Sequence, residues 1–253
     1  MQDTDPRFTG LGRLYPPGTL TRLKKAHVCV VGIGGVGSWV AEALARSGVG
    51  RITLVDLDEV CISNFNRQSL AVEGFLAKPK VEAMAARIHL IHPGCEVFPR
   101  QEFFTISTEQ ELLNPGFDAV VDAIDSVTNK VRLAAACLAR SIPLVISGAA
   151  GGRVNATAVR MAPLYQASHD RLLGAVRKNL KLSLPPDEWE KAAQLPCVFS
   201  NERARSATED SCKTGSGRGP RMNCEAGYGS AVFVTGSFGF AAAGWVVNRL
   251  AEG

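Results

Sequence analysis

The chain has no Gly-x-x-x-x-Gly-Lys-Ser/Thr run, so it does not hold a triphosphate in a P-loop. It has no Cys-x-x-Cys pair either. Its 7 cysteines, Cys29, Cys61, Cys95, Cys137, Cys197, Cys212 and Cys224, are odd in number and dispersed, the pattern of reduced thiols in a cytosol, and no structural zinc is expected. Cys29 and Cys137 lie in apolar runs and read as core. Histidine is scarce: His27, His89, His92 and His169 form no ligand spacing and receive no role. Internal repeats and coiled-coil heptads are absent. The first residues carry Asp3 and Asp5 and no apolar h-region, so no signal peptide and a cytoplasmic location are expected. One long apolar stretch exists, residues 231–247. It is near the minimum for a membrane span and contains Thr235, Ser237 and 3 glycines, so a buried C-terminal helix at a dimer interface is expected, with no membrane contact. Strong charge is lacking too: a formal net charge of +4 suits an anionic partner without specifying one.

What is there is concentrated in residues 27–68. Residues 27–31 form an apolar run that reads as a buried strand. Gly32, Gly34, Gly35 and Gly37 make the turn that follows, and Ser38 comes next. A helix with apolar Val36, Val40, Ala43 and Leu44 then runs until Gly48 stops it. Residues 51–55 are a second strand, ending at Asp56. This is a βαβ unit whose glycines let the backbone approach a phosphate at a helix N-terminus, with Asp56 where a ribose-binding acid belongs. A nicotinamide or flavin enzyme looks the same to this point. Next come Asp56-Leu57-Asp58-Glu59-Val60 and Ser63-Asn64-Phe65-Asn66-Arg67-Gln68. A redox domain has no need for this amide and arginine cluster, whereas a site that opposes a triphosphate to a carboxylate does. Arg67 offers phosphate oxygens a planar fork, and Asn64 and Asn66 can bridge phosphate and metal-bound water. Asp56 and Asp58 can hold magnesium or ribose hydroxyls.

Further on, Lys78-Pro79-Lys80 opens a helix running to about residue 91, with Pro79 in its first turn. A lysine at a helix start is unfavourable for the dipole and points to an anion nearby. A short strand is expected near residues 95–99, and another within 117–126, carrying Asp122, Asp125 and Ser126 into a loop beyond its carboxyl end. Asp122 reads as the anchor of that loop. A helix over 127–139, a strand over 143–146 and the glycine-rich 148–152 continue the alternation. The fold expected is α/β: a Rossmann-like, doubly wound, mostly parallel sheet with extra C-terminal strands and a mobile loop. Residues 1–253 are expected to form a single domain, its nucleotide-binding half at about 20–150 and its substrate and dimer half at about 151–253. Residues 153–161 alternate as a differently oriented strand. Residues 171–184 are a basic helix whose Arg177, Lys178 and Lys181 read as a solvated face. The polar, glycine-rich run at 200–221 is the expected mobile loop and a candidate phosphate-contacting arm. The segment holding Arg7, Arg13, Leu14 and Tyr15 reads in itself as a solvated arm.

Gly-x-Gly-Gly-x-Gly-Ser, then Asp-x-Asp-x-Val, then Ser-Asn-x-Asn-Arg-Gln, resembles the signature of the ubiquitin-activating-enzyme-like adenylyltransferases, the ThiF, MoeB and HesA group. The resemblance implies ATP held by Gly34, Gly35, Asp56, Asp58, Ser63, Asn64, Asn66, Arg67, Lys80, Asp125 and Ser126. It makes Asp125 a ligand of magnesium bound with the nucleotide. It makes Arg67, Lys80, Asp125 and an N-terminal arginine catalytic, the last reaching across a homodimer; Arg13 matches best and Arg7 second. It also allows a monovalent cation, Na+ or K+. Many members hold zinc on two Cys-x-x-Cys pairs, which this chain lacks.

Within the family, residues 122–127, 148–153, 197–200 and 221–229 resemble the branch that acts on tRNA carrying threonylcarbamoyladenosine. That branch activates the threonyl carboxylate with ATP and closes a ring through the carbamoyl oxygen, releasing AMP. The family resemblance also allows a sulfur-transfer protein as partner. Two alternatives stay open. One is adenylation of the C-terminus of a sulfur-carrier or ubiquitin-like protein; it wants a working thiol, for which Cys212 and Cys224 are the candidates. The other is an NAD-dependent oxidoreductase. Cys224, between Arg221 and Glu225, reads as a packing or loop cysteine.

Overall fold

The computed structural model describes residues 5–205 and 228–252. The expected mobile loop beyond residue 205, with Cys212 and Cys224, lies outside the described residues.

The segment that carries Arg7 and Arg13 is tied down at two points, with Phe8 buried and Tyr15 hydrogen-bonded to Asn248, while Arg7, Arg13 and Leu14 are exposed. It holds the short helix α1 (Thr9–Gly12), and α2 (Thr19–Lys25), with Leu23 fully buried, follows. β1 (His27–Val31) is buried along its whole length, as a continuous apolar run in a central parallel strand must be. α3 (Gly37–Arg46) follows, ended by Gly48 at φ 80°. β2 (Arg51–Val55), α4 (Lys80–Ile91) and β3 (Glu96–Arg100) complete the first half. Pro79 stands at the N-cap of α4, one position earlier than expected. The short α5 (Glu109–Leu113) leads to β4 (Ala119–Asp122), α6 (Val127–Ala139) and β5 (Leu144–Ser147). Then come β6 (Val159–Pro163), α7 (Arg171–Ser183), α8 (Pro186–Ala193), β7 (Pro196–Ser200) and α9 (Val232–Glu252).

The seven strands form one sheet in the order β3-β2-β1-β4-β5-β7-β6. All neighbours are parallel except β6 and β7, so residues 159–163 are the differently oriented strand. β1 carries β2 on one side and β4 on the other. Their carboxyl ends form the crevice where an open α/β sheet takes its ligand. One face of the sheet buries its apolar residues against α3, α4 and α9, the other against α6, α7 and α8.

α9 is the buried helix expected at residues 231–247. It lies so close to α3 that a Cβ on Gly239 would come 2.7 Å from Trp39 Cβ and 2.8 Å from the Val36 carbonyl oxygen. Its last carbonyls, on Leu250 and Ala251, accept from the Arg22 guanidinium, a cation at the negative end of the helix. Among the described residues, no helix is long and apolar enough to cross a membrane.

Candidate active site

Two of the four turn glycines are steric necessities. Gly32 sits at φ 91°, and a Cβ there would lie 2.7 Å from the Ala123 carbonyl oxygen of the neighbouring β4 loop; one on Gly37 would be 1.8 Å from the Gly32 carbonyl oxygen. These positions press α3 against the ends of β1 and β4. Gly34 differs: a Cβ there would meet nothing. Its backbone borders open space at the start of α3, as a phosphate approach requires.

Asp56 is 9% exposed. Its Oδ2 accepts from the Ile33 N–H at 2.6 Å and its Oδ1 from the Asp58 N–H at 2.8 Å, so it ties the glycine turn to the loop after β2. Burial raises its pKa above the usual carboxylate value, while Lys80 and the two N–H donors pull the other way. Lys80 is the first residue of α4. Segments 58–60 and 77–80 pair through Val60 N–H to the Lys78 carbonyl and Lys80 N–H to the Asp58 carbonyl, each at 2.9 Å. That pairing sets the Lys80 ammonium 2.7 Å from Asp58 Oδ2. Lys78 is exposed, with its ammonium over the Phe75 ring, as a surface lysine should be.

The amide cluster divides its labour. Asn64 is buried and accepts the Cys61 N–H at 3.1 Å, capping the turn Ile62–Asn64. Ser63 is exposed, and its carbonyl accepts from Arg67 Nη1 at 2.7 Å; Asn66 Oδ1 accepts from the same nitrogen at 2.9 Å. These contacts fold the guanidinium beside Gly35, whose built Cβ would lie 3.4 Å from Arg67 Cδ. Distant residues hold this cluster in place. Trp39 Nε1 donates to the Arg67 carbonyl at 2.9 Å, Thr235 Oγ1 to the same carbonyl at 3.4 Å, and Asn66 Nδ2 to the Ser230 carbonyl at 2.9 Å. Nothing local in the sequence marks Trp39, Thr235 or Ser230 for this role.

After β4, Asp122 and Asp125 take separate roles. Asp122 is fully buried: its Oδ1 accepts from Ile124 N–H at 3.0 Å and from the equally buried Lys130 ammonium at 2.9 Å. It anchors the loop, and burial pushes its pKa upward against the pull of Lys130. Lys130 carried no signal in the sequence beyond lying in a helix. Asp125 is exposed and has no hydrogen bond or ion pair among the described residues. Ser126 caps α6 through Asn129 N–H at 3.5 Å.

Arg13 is not brought to this cluster. It is exposed, two residues before Tyr15, whose hydroxyl donates to Asn248 Oδ1 at 2.6 Å. Asn248 and Thr235 are 13 helical residues apart, about 20 Å at 1.5 Å per residue. Arg7 pairs with Asp5 at 3.0 Å.

Asp56, Asp58, Arg67, Lys80 and Asp125 thus gather cations and carboxylates beyond the carboxyl ends of β1, β2 and β4, next to an open glycine backbone. Such an arrangement can neutralise a polyphosphate and orient it toward an acid nucleophile. A lone exposed carboxylate fits magnesium that arrives with a nucleotide's phosphates. Among the described residues, no group of three or more His, Cys, Asp or Glu could cage a metal by itself.

The chain is similar to proteins of known activity over nearly its whole length. A tRNA threonylcarbamoyladenosine dehydratase of Haemophilus influenzae is 41% identical over 248 residues, 97% of this chain and 94% of the relative. The crystal structure of the Escherichia coli tRNA N6-threonylcarbamoyladenosine dehydratase, TcdA, in complex with ATP superposes with a TM-score of 0.83 at 37% identity, covering 97% of this chain and 94% of that one. The molybdopterin-synthase adenylyltransferase of Escherichia coli is 38% identical over 128 residues, 51% of each chain. The model of the ThiF family matches residues 10–250, and the chain belongs to the ThiF family.

Proposed function

We propose that this chain is an ATP-dependent tRNA threonylcarbamoyladenosine dehydratase. The observation that carries the proposal is the joint one of an end-to-end likeness to such enzymes and a cation and carboxylate cluster at the crevice between β1 and β4.

The threonyl carboxylate of the modified adenosine attacks the α-phosphorus of ATP, the bond to the β-phosphate breaks, and pyrophosphate leaves. The carbamoyl oxygen then attacks the activated carbonyl carbon. AMP departs with one former carboxylate oxygen, and the nucleoside has lost one water. The Gly34-Gly35 backbone at the head of α3 receives a phosphate, and Asp56 accepts from a ribose hydroxyl. Lys80 leaves Asp58 to meet phosphate oxygens; Arg67, fixed by Ser63 and Asn66, does the same from the other side. Asp58 borders the same crevice, Asn64 holds the turn that carries Ser63, and Ser126 caps α6 beside it. Asp125 would hold magnesium, which supplies charge neutralisation on the transferring phosphate when bound. Arg13 of a second copy completes the charge, since its own subunit's Arg13 lies at the far end of α9; the active species is therefore a homodimer.

Adenylation of a sulfur-carrier protein is the second reading, favoured by the likeness of half the chain to the molybdopterin-synthase adenylyltransferase. Both readings release pyrophosphate from ATP, so the acid substrate that stimulates the release separates them. Stimulation by modified tRNA and not by a carrier protein supports the dehydratase, and the reverse overturns it.

A further inference from the structure

Tyr228 is a half-exposed aromatic at the mouth of the site that no step above uses. Its exposure is 47%. Tyr228 packs on the Gly151-Gly152 backbone: a Cβ on Gly152 would be 2.9 Å from the ring at Cδ1, and one on Gly151 would be 3.3 Å from Tyr228 Cβ. The lack of a side chain at both positions makes the room that Tyr228 occupies. Gly152 N–H donates to the Gly229 carbonyl at 2.7 Å, which pins the neighbouring backbone. The hydroxyl accepts from Arg171 Nη1 at 3.3 Å, at the start of α7. Two residues on, the Ser230 carbonyl accepts from Asn66 Nδ2. The chain at 228–230 therefore bridges the loop after β5 and the amide cluster, and two residues of extended chain put Tyr228 within about 7 Å of Ser230. An aromatic face held by glycine backbone and an arginine, open to solvent beside a nucleotide site, is the geometry on which an unpaired RNA base stacks.

We propose that Tyr228, steadied by Arg171, is the stacking shelf for a base of the RNA substrate next to the reacting nucleotide, and so sets affinity for RNA and not for ATP. This inference rests on the dehydratase reading. The Arg171 guanidinium, at the rim of the shelf, adds a phosphate contact.

The test uses the full-length protein, tRNA carrying threonylcarbamoyladenosine, and the free modified nucleoside as a second substrate. For Tyr228→Ala, KM for the tRNA is expected to rise between about fivefold and a hundredfold, with KM for ATP and turnover at saturating tRNA unchanged. Tyr228→Phe keeps the ring and is expected to restore most of the affinity. Turnover of the free nucleoside, which has no neighbouring base, is expected to be the same in wild type and Tyr228→Ala. A rise in KM for ATP, loss of turnover on the free nucleoside, or failure of Tyr228→Phe to rescue would show that Tyr228 only braces the loop and would overturn the shelf. If the wild-type protein itself leaves modified tRNA unchanged, the dehydratase reading falls instead.

Discussion

Lys80 and Asp58 form an ion pair of 2.7 Å between unlike environments: the lysine side chain is 8% exposed and the aspartate 58%. The ammonium is thus held in a buried place by the fold, while its partner stands in water and is readily exchanged for another anion. Removing the lysine deletes a positioned charge and leaves only a solvated carboxylate behind. Lys80→Met should cut ATP-dependent pyrophosphate release about a hundredfold or more while leaving the thermal midpoint within a few degrees of wild type. Pyrophosphate assay and calorimetry check this together. Near-normal release would show that Lys80 belongs to the loop and not to the nucleotide.

Asp125 is the acid with no partner among the described residues, and Asp122 beside it is the buried acid paired with Lys130. The two should therefore fail in different ways. Asp125→Ala should abolish pyrophosphate release, a loss of roughly 3 kcal/mol or more, in a folded protein. Asp122→Ala strands the buried Lys130 charge and should cost about 3–5 kcal/mol of stability, read as a large drop in the urea midpoint. A stable, inactive Asp122→Ala together with an active Asp125→Ala would reverse the assignment.

Much of this arrangement was legible in the chain. Continuous apolar runs and a glycine turn marked β1, α3 and β2, because a buried parallel strand and a helix stop leave local traces. Asp122 was readable as a loop anchor from its place at a strand end. Other features have no local trace. β7 is a five-residue strand that opens on Pro196, too short to alternate visibly, and it sits between β5 and β6 only because α7 and α8 carry the chain around. The segment with Arg7 and Arg13 looked like a charged arm; burial of Phe8 and the bond from Tyr15 to Asn248, more than 200 positions away, tie it down. The contacts of Trp39, Thr235 and Ser230 with the amide cluster are likewise tertiary, visible only once α9 lies on α3.

The position of Arg13 at the far end of α9 predicts active sites shared between subunits. Arg13→Ala and Lys80→Met should each be inactive. Mixed after reversible dissociation, they should recover about a quarter of wild-type activity, because half of the random dimers hold one intact site of two. Light scattering should give a dimer throughout. No recovery on mixing, or a fully active monomer, would remove Arg13 from the mechanism.

Thiol chemistry should be uneven. Burial pushes Cys95, Cys137 and Cys197 up to about 12, and Cys29 well above its ordinary value. A raised thiol pKa leaves almost no thiolate at pH 8, so these four should resist alkylation until the protein unfolds. Cys61 is exposed and should label first among the described cysteines. Peptide mapping after a short native pulse checks this; rapid labelling of Cys137 or Cys197 would mean that the face of the sheet carrying α6 opens far more often than its packing implies.

In the proposed reaction ATP activates a carboxylate by forming an acyl adenylate. The most direct measurement places heavy oxygen in the threonyl carboxylate of the modified tRNA and follows it by mass spectrometry after one turnover with ATP and the wild-type protein. AMP should carry one heavy oxygen, and the nucleoside, lighter by one water, should retain the other. Unlabelled AMP, or heavy oxygen released in inorganic phosphate, would contradict the proposed reaction.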